Sequence, residues 1–274
     1  MTPQDVADLY SLKDRTVVVS GGARGIGAAV SRTLHGLGAH VVIADLLEEE
    51  GRAVAAELGE RARFERLNVT DEANWEALIS EATAWRGSLD VLVNCAAIAV
   101  MNAITEFPQA DFQRVLDVNL IGVFLGVKHA GRVMREQGRG SIINFSSADG
   151  TQGANSMGAY AASKWAVRGM SKVAAMELGL HGVRVNTICP GPVNTPMLNP
   201  RQRPAAEIAK THPWMTRMPL QRIAEPIELA AACGFLASDA ASFVTGVDLM
   251  VDGGGTIGMY YPHLAGGPGV PPAA

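Results

Sequence analysis

The sequence predicts an α/β fold: one doubly wound domain with a mostly parallel sheet and helices on both faces. Three observations carry this. Short β-branched runs alternate with amphipathic helical stretches, the pattern of repeated βα units. The strand runs, such as Val17-Val18-Val19 and Val41-Val42-Ile43, are apolar without alternation, as strands covered on both faces are. The 274 residues are 48% hydrophobic and 18% charged, with no composition break and no internal repeat, which suits a single large core.

The elements follow in order. Residues 16–20 form a strand that ends at Gly21-Gly22. A helix over 25–37 carries Ile26, Val30, Leu34 and Leu37 on one face and stops at Gly38. Residues 41–44 are the next strand, closed by Asp45, and 48–58 a helix. A strand over 64–69 opens into a helix start at Thr70-Asp71, and 89–93 is another strand. A long helix spans about 112–136, followed by a strand at 141–145, a helix at 160–180 and a strand at 183–188. A helix at 225–236 and a strand at 248–251 complete the set. The domain is expected over 1–258, with a Gly/Pro-rich, extended tail at 259–274.

Composition narrows the function. A net charge of −4 argues against a nucleic-acid binder that works by neutralising phosphates. Cys95, Cys189 and Cys233 lie far apart without a CxxC and read as reduced thiols of a cytoplasmic protein, not as a disulfide frame or metal site. Residues 1–15 lack the apolar stretch of a signal peptide. The longest apolar run, 91–101, contains Asn94 and falls short of the ~18–20 residues of a membrane span. A soluble chain is expected, with no membrane partner and no metal.

Between the first strand and first helix lies Ser20-Gly21-Gly22-Ala23-Arg24-Gly25-Ile26-Gly27. Glycines there let the backbone turn and approach a pyrophosphate, which the helix N-terminus welcomes with free N–H groups. The spacing is GxxxGxG, not the generic GxGxxG, so the context carries the reading: a strand before, a helix after, and an acid at the next strand end. That acid, Asp45, comes 18 residues after Gly27, close to the ~20 of a ribose-binding carboxylate. It suits the adenosine hydroxyls of NAD and repels the 2′-phosphate of NADP. Leu46 and Leu47 offer that phosphate no cation; Arg24 is the counter-signal. The plainer alternative is that Asp45 only closes a strand-end turn.

Tyr160 and Lys164 stand at i and i+4, one turn apart on a helix face. A phenol with pKa ~10 is a poor base, and a neighbouring ammonium favours its ionised form. Alone this spacing is common on solvated helices. Ser147, 13 residues earlier, follows a strand, where a doubly wound sheet presents its ligand site, though a serine there also reads as a cap. Asn119 is a polar residue inside an apolar helix and needs a buried partner or water.

Taken together, Ser20-Gly-Gly-x-x-Gly25-Ile-Gly27, Asn94-Cys-Ala-Ala97, Asn119, Ser147, Tyr160-x-x-x-Lys164 and Pro190-Gly191 strongly resemble the short-chain dehydrogenase/reductases over nearly the whole chain. The resemblance implies a Rossmann fold, a nicotinamide cofactor and a proton passed by Tyr160. It implies that Ser147 holds the substrate oxygen, that Lys164 binds the nicotinamide ribose and lowers the Tyr160 pKa, and that Asn119 anchors a water. It places Gly21, Arg24, Gly25, Ile26, Gly27 and Asp45 at the adenosine half of the cofactor and Asn68 and Val69 at the adenine. Asn94 and Ala96 fall beside the ribose, and Pro190, Gly191, Val193 and Thr195 at the carboxamide. Three positions depart from the pattern: Ser20 replaces a Thr, Cys95-Ala96-Ala97 replaces Asn-Ala-Gly, and Asn68 stands where an acid is usual.

Substrate choice in this family lies in loops. Segment 193–221 carries Met197, Leu198, Trp214, Met215 and Met218, an apolar lid or ordinary core. Its Arg201, Arg203, Lys210 and Arg217 read as a solvated face or as a welcome for an anion. Gln152, Asn155 and Met157 fall at the mouth. Arg139-Gly-Ser-Ile-Ile-Asn144, Phe124-Leu-Gly126, Ala166-Val-Arg-Gly169 and Val251-Asp-Gly-Gly254 look most like bacterial NAD-dependent hydroxysteroid dehydrogenases of the 3α/20β type, which implies a steroid or other bulky cyclic alcohol. The alternatives are a β-ketoacyl reductase and a catalytically silent NAD(H) sensor. The family also implies a homotetramer or dimer; the stripe Leu116, Leu120, Val123 and Val127 fits a core or such an interface.

Overall fold

The computed structural model describes residues 2–216, 218–261 and 263–264. Arg217 and most of the tail 259–274 lie outside them. Seven strands form one sheet in the order β3-β2-β1-β4-β5-β6-β7: β1 Thr16–Ser20, β2 His40–Asp45, β3 Ala62–Arg66, β4 Val91–Asn94, β5 Gly140–Phe145, β6 Val183–Pro190 and β7 Asp248–Val251. Every pair is parallel, beyond the mostly parallel expectation. The chain winds outward one way from β1 through β3 and the other way from β4 through β7. The switch point therefore lies above the carboxyl ends of β1 and β4, where such sheets take ligands.

The missing alternation in the strands has its cause in two cores. Val17, Val19, Val41, Ile43, Val91 and Val93 face one side, packed by α2 (Gly25–Gly36), α3 (Glu48–Leu58) and α9 (Pro226–Ala237). Val18, Val42, Leu92, Ile142 and Val185 face the other, under α4 (Glu72–Arg86), α6 (Gly122–Gln137) and α7 (Gly158–Gly179). Val17, Val18 and Val19 have no exposed surface, each burial contributing roughly 1.5–3 kcal/mol.

Some boundaries moved. β3 runs Ala62–Arg66, because Asn68 and Asp71 form the turn into α4; Asp71 caps that helix through the N–H groups of Ala73 and Asn74. β4 begins at Val91, because Asp90 turns its carboxylate to the Thr16 N–H (2.9 Å) and Arg139. The long helix is interrupted: α5 (Gln109–Leu116) passes through a π-helical segment, Asp117–Ile121, before α6. Two short helices were not expected, α1 (Pro3–Tyr10), which a Thr2–Asp5 capping box opens, and α8 (Ala205–Thr211) within segment 193–221. In the stripe, Val123 and Val127 are core, with Leu120 packed against them. No helix among the described residues is long and apolar enough to cross a membrane.

Gly126 on α6 lets that helix meet β4. A Cβ there would lie 2.5 Å from Asn94 Oδ1 and 2.9 Å from the Trp75 ring. Overpacking costs about 1–3 kcal/mol, against a gain of at most about 1 kcal/mol in helix propensity. Gly126→Ala is therefore expected to lower the urea midpoint; an unchanged or raised midpoint would show that Asn94 and Trp75 make room freely.

Candidate active site

The glycine loop forms because the backbone must pass closer than side chains allow. Gly21 adopts φ +70°, and a Cβ on it would sit 2.6 Å from the Ala96 backbone. A Cβ on Gly27 would lie 2.0 Å from the Gly21 carbonyl oxygen, so α2 presses directly on the loop that precedes it. No side chain caps the α2 N-terminus, which leaves its first N–H groups for a ligand. The loop after β6 closes the other wall: Thr195 Cγ2 lies 3.4 Å from where a Gly25 Cβ would stand. Pro190 ends β6, the Gly191 N–H bonds to the Val251 carbonyl (3.0 Å), and Val193 is buried. Ile26 packs partly into the core beneath.

Asp45 stands at the end of β2. Its Oδ2 accepts from the Ala23 N–H and its Oδ1 from the Leu47 N–H, each at 3.1 Å. It closes a turn and is also held against the glycine loop, with lone pairs to spare. Leu46 is exposed beside it. Arg24 is exposed with no ion pair among the described residues.

Other predicted positions are turned inward. The Asn94 side chain is buried and donates to Asn144 Oδ1 (2.8 Å), so only its backbone and Ala96 face the glycine loop. Asn68 Oδ1 accepts from the Thr70 N–H and hydroxyl, and Val69 packs against Gly122. Residues 95–97 keep ordinary negative φ angles, so Ala97 sits without strain where the family has glycine.

Ser147, Tyr160 and Lys164 come together at the end of β5. Ser147 opens the 3-10 turn Ala148–Gly150, and its Oγ accepts from the Asp149 N–H (3.1 Å). Tyr160 is half-buried, and the Ser147 hydroxyl is near enough to act on its phenol. One turn on, Lys164 is 2% exposed; its Nζ donates to the Phe145 carbonyl at 2.8 Å and lies 5.6 Å from the Tyr160 ring centre. Burial pushes the phenol up to about 12, with the nearby Ser147 hydroxyl opposing and the Asp149 carboxyl adding to the rise. Burial also lowers Lys164 from its ordinary 10.5 to about 8. Desolvation is thus the largest influence on both groups.

Asn119 is fully buried in the π segment. Its Oδ1 accepts from the Ile98 N–H (2.9 Å), and its Nδ2 donates to the Ile98 carbonyl (2.9 Å) and Ser163 Oγ (3.2 Å). It joins the loop after β4 to α7. At the mouth, Gln152 and Met157 are partly exposed and Asn155 exposed, on a loop pinned by the Asn102 N–H to the Ser156 carbonyl (3.0 Å). Met197 is 53% exposed. Met218 belongs to a small core with Ile208 and Met215 of the 193–221 segment and Ile223 just past it, and the partly buried Trp214 packs against it. Sequence reasoning missed Met101 and Ile104, which are 74% and 72% exposed beside this mouth; apolar residues in a loop past a strand's carboxyl end were the available signal.

Lys164 makes a stability prediction. Between pH 8 and 10.5 the unfolded chain binds a proton that the folded chain has released, so stability rises with pH across that window. The stability of the protein relative to Lys164→Met, measured by urea unfolding, is expected to climb by about 3 kcal/mol from pH 8 to 10.5. A difference flat with pH would mean that the ammonium is solvated.

The comparisons with known proteins agree with this geometry. A family model described as enoyl-(acyl carrier protein) reductase matches residues 21–256. A 3-alpha-(or 20-beta)-hydroxysteroid dehydrogenase of Mycobacterium bovis is 45% identical over 245 residues, 89% of this chain and 90% of that protein. A 2,5-dichloro-2,5-cyclohexadiene-1,4-diol dehydrogenase of Sphingobium indicum is 41% identical over 251 residues, 90% of this chain and 99% of that one. The crystal structure of a gluconate 5-dehydrogenase from Burkholderia cenocepacia, in complex with NADP and tartrate, superposes with a TM-score of 0.86 at 33% identity, covering 93% of this chain and all of that one. With a nucleotide-type glycine loop at the switch point and Ser147, Tyr160 and Lys164 gathered beside it, the chain belongs to the short-chain dehydrogenase/reductase family, whose fold binds a nicotinamide dinucleotide, and it is a secondary alcohol dehydrogenase of that family.

Proposed function

We propose that this dehydrogenase uses NAD and interconverts a secondary alcohol and a ketone on a bulky cyclic substrate, with Tyr160 as the acid/base. The observation that carries the reading is the gathering of Tyr160 beside the buried Lys164, whose Nζ lies 5.6 Å from the Tyr160 ring centre and is held on the Phe145 carbonyl two residues before Ser147. A carbinol oxygen seated there meets two hydroxyls at once, Ser147 to orient it and Tyr160 to exchange its proton at Oη. Asn119 acts as a positioning residue through Ile98.

A nicotinamide dinucleotide fits the residues present. The bare backbone of Gly21, Gly25 and Gly27, where a Cβ would clash or strain, suits its pyrophosphate, and Asp45 its adenosine ribose. Lys164 spends one of three N–H donors on Phe145 and has two for the second ribose. When bound, the cofactor supplies the hydride acceptor and, oxidised, a positive charge. Lys164 then opposes the burial that holds the phenol near 12, so that Tyr160 takes the proton in oxidation and returns it in reduction.

Asp45 and the uncharged Leu46 and Leu47 favour NAD; the exposed Arg24 is the one feature that would greet a 2′-phosphate. The relatives named for hydroxysteroids and a cyclohexadienediol, with exposed Met101, Ile104 and Met197 about the mouth, support a cyclic apolar substrate under a 193–221 lid. Exposed Ile121, Phe124, Trp165 and Met176 on the 117–137 stretch and α7 support a homotetramer or dimer, and three free thiols a reducing, cytoplasmic setting.

The test is nicotinamide absorbance with NAD and NADP over steroids, cyclohexanols and a β-hydroxyacyl thioester; NAD-linked turnover of cyclic alcohols is expected, and preference for the thioester would overturn the substrate reading. Tyr160→Phe should bind NADH normally and lose about 10²–10⁴-fold in kcat; retained turnover would assign the proton elsewhere. Asp45→Ala should weaken NAD and bring the NAD/NADP ratio of kcat/KM toward one. An unmoved ratio removes Asp45 from the ribose.

A further inference from the structure

The side of α7 that carries Tyr160 and Lys164 continues past them. Arg168 follows Lys164 at the same interval of four, one turn further along the helix. It belongs to the stretch Ala166-Val-Arg-Gly169, to which the proposed reaction gives no part. Its guanidinium is divided between two elements. Nη1 donates to the Gly150 carbonyl, and Nη2 donates at 2.9 Å to Oδ2 of Asp248 on the edge strand β7.

Gly150 passes that hold on to Ser147. Its carbonyl takes Arg168, while its N–H donates to the Ser147 carbonyl at 2.9 Å. The turn also lies hard against α7: a Cβ on Gly150 would stand 2.4 Å from Ser146 Oγ and 3.0 Å from the Lys164 carbonyl oxygen. At the other end, Asp248 Oδ2 accepts from Lys172 Nζ as well (2.6 Å). The Arg168 and Asp248 side chains are only 23% and 13% exposed. A sheltered carboxylate shared by two cations keeps a planar guanidinium in one orientation, which an exposed single pair does not.

We propose that Arg168 is a positioning residue: through the Gly150 carbonyl it fixes the turn that presents the Ser147 hydroxyl, and Asp248 fixes Arg168. The inference rests on the role given to Ser147 in the proposed reaction. A misplacement of about 1 Å at a reacting centre costs on the order of a hundredfold in rate, so this strap acts on kcat. The glycine loop is built by β1 and α2 instead, which makes NADH binding an independent readout.

The experiment measures kcat with NAD and the fastest cyclic alcohol of the panel above, and NADH affinity by fluorescence. The variants are Arg168→Met, Ser147→Ala and the two combined. Arg168→Met keeps the apolar stem and loses the fork; kcat should fall by about tenfold to a hundredfold, with the NADH Kd within twofold of wild type. In the Ser147→Ala background the same substitution should cost less than twofold, because the hydroxyl it misplaces is gone. A merely structural role would cost the same in both backgrounds. Arg168→Lys, whose one ammonium reaches Gly150 or Asp248 but not both, should fall between Arg168→Met and wild type; it carries the test if Arg168→Met fails to fold. Asp248→Asn should lose part of the same activity and add nothing to Arg168→Met. Wild-type kcat in Arg168→Met or Arg168→Lys, equal losses with and without Ser147, or additive losses with Asp248→Asn overturn the inference and leave the reaction standing. A wild type that oxidises no cyclic alcohol of the panel overturns both.

Discussion

The hydrogen bond from Lys164 Nζ to the Phe145 carbonyl ties α7 to the end of β5, one residue past its last pairing with β4. Burying that ammonium lowers its pKa to about 8, and the site is arranged around it. Tyr160 stands one turn before it, and Ser147 two residues past the carbonyl that receives it. The same helix turn contributes Ser163, whose hydroxyl donates to the Tyr160 carbonyl and accepts from Asn119. A shift of α7 along β5 would move all of these groups together.

Around this bond run two chains of buried polar groups. Asn94 donates to Asn144, Asn144 to Ser171, and Ser171 to the Val167 carbonyl. Asn119 holds both backbone groups of Ile98. Each chain joins a strand end or its loop to α7, in a low-dielectric interior where a satisfied network is stiff and a broken one expensive. The π segment at Asp117–Ile121 belongs to the same design, since it sets Asn119 at the height of the loop it holds.

Much of this was legible in the sequence because it is written in spacing. The glycine cluster, Asp45 after the second strand and the Tyr160–Lys164 interval are local patterns with a chemical reason, and so are the doubly buried strands. What stayed hidden depends on neighbours distant in the chain. Periodicity does not separate a π segment from a continuous helix. Asn94 faces a cleft by its place in a motif, yet its side chain turns inward because Asn144 lies opposite it in the ladder. Met218 reads in sequence as lid or core alike, and the structure packs it with Ile208, Met215 and Ile223.

The small cluster of Ile208, Met215, Met218 and Ile223 has one further consequence. It lies apart from the two cores that flank the sheet, so the stretch 208–223 draws much of its cohesion from itself. Substitutions inside it reshape that segment while the strands keep their own contacts. Under the proposed lid role, stability of the scaffold and choice of substrate become separable traits, and drift in one leaves the other free to be selected.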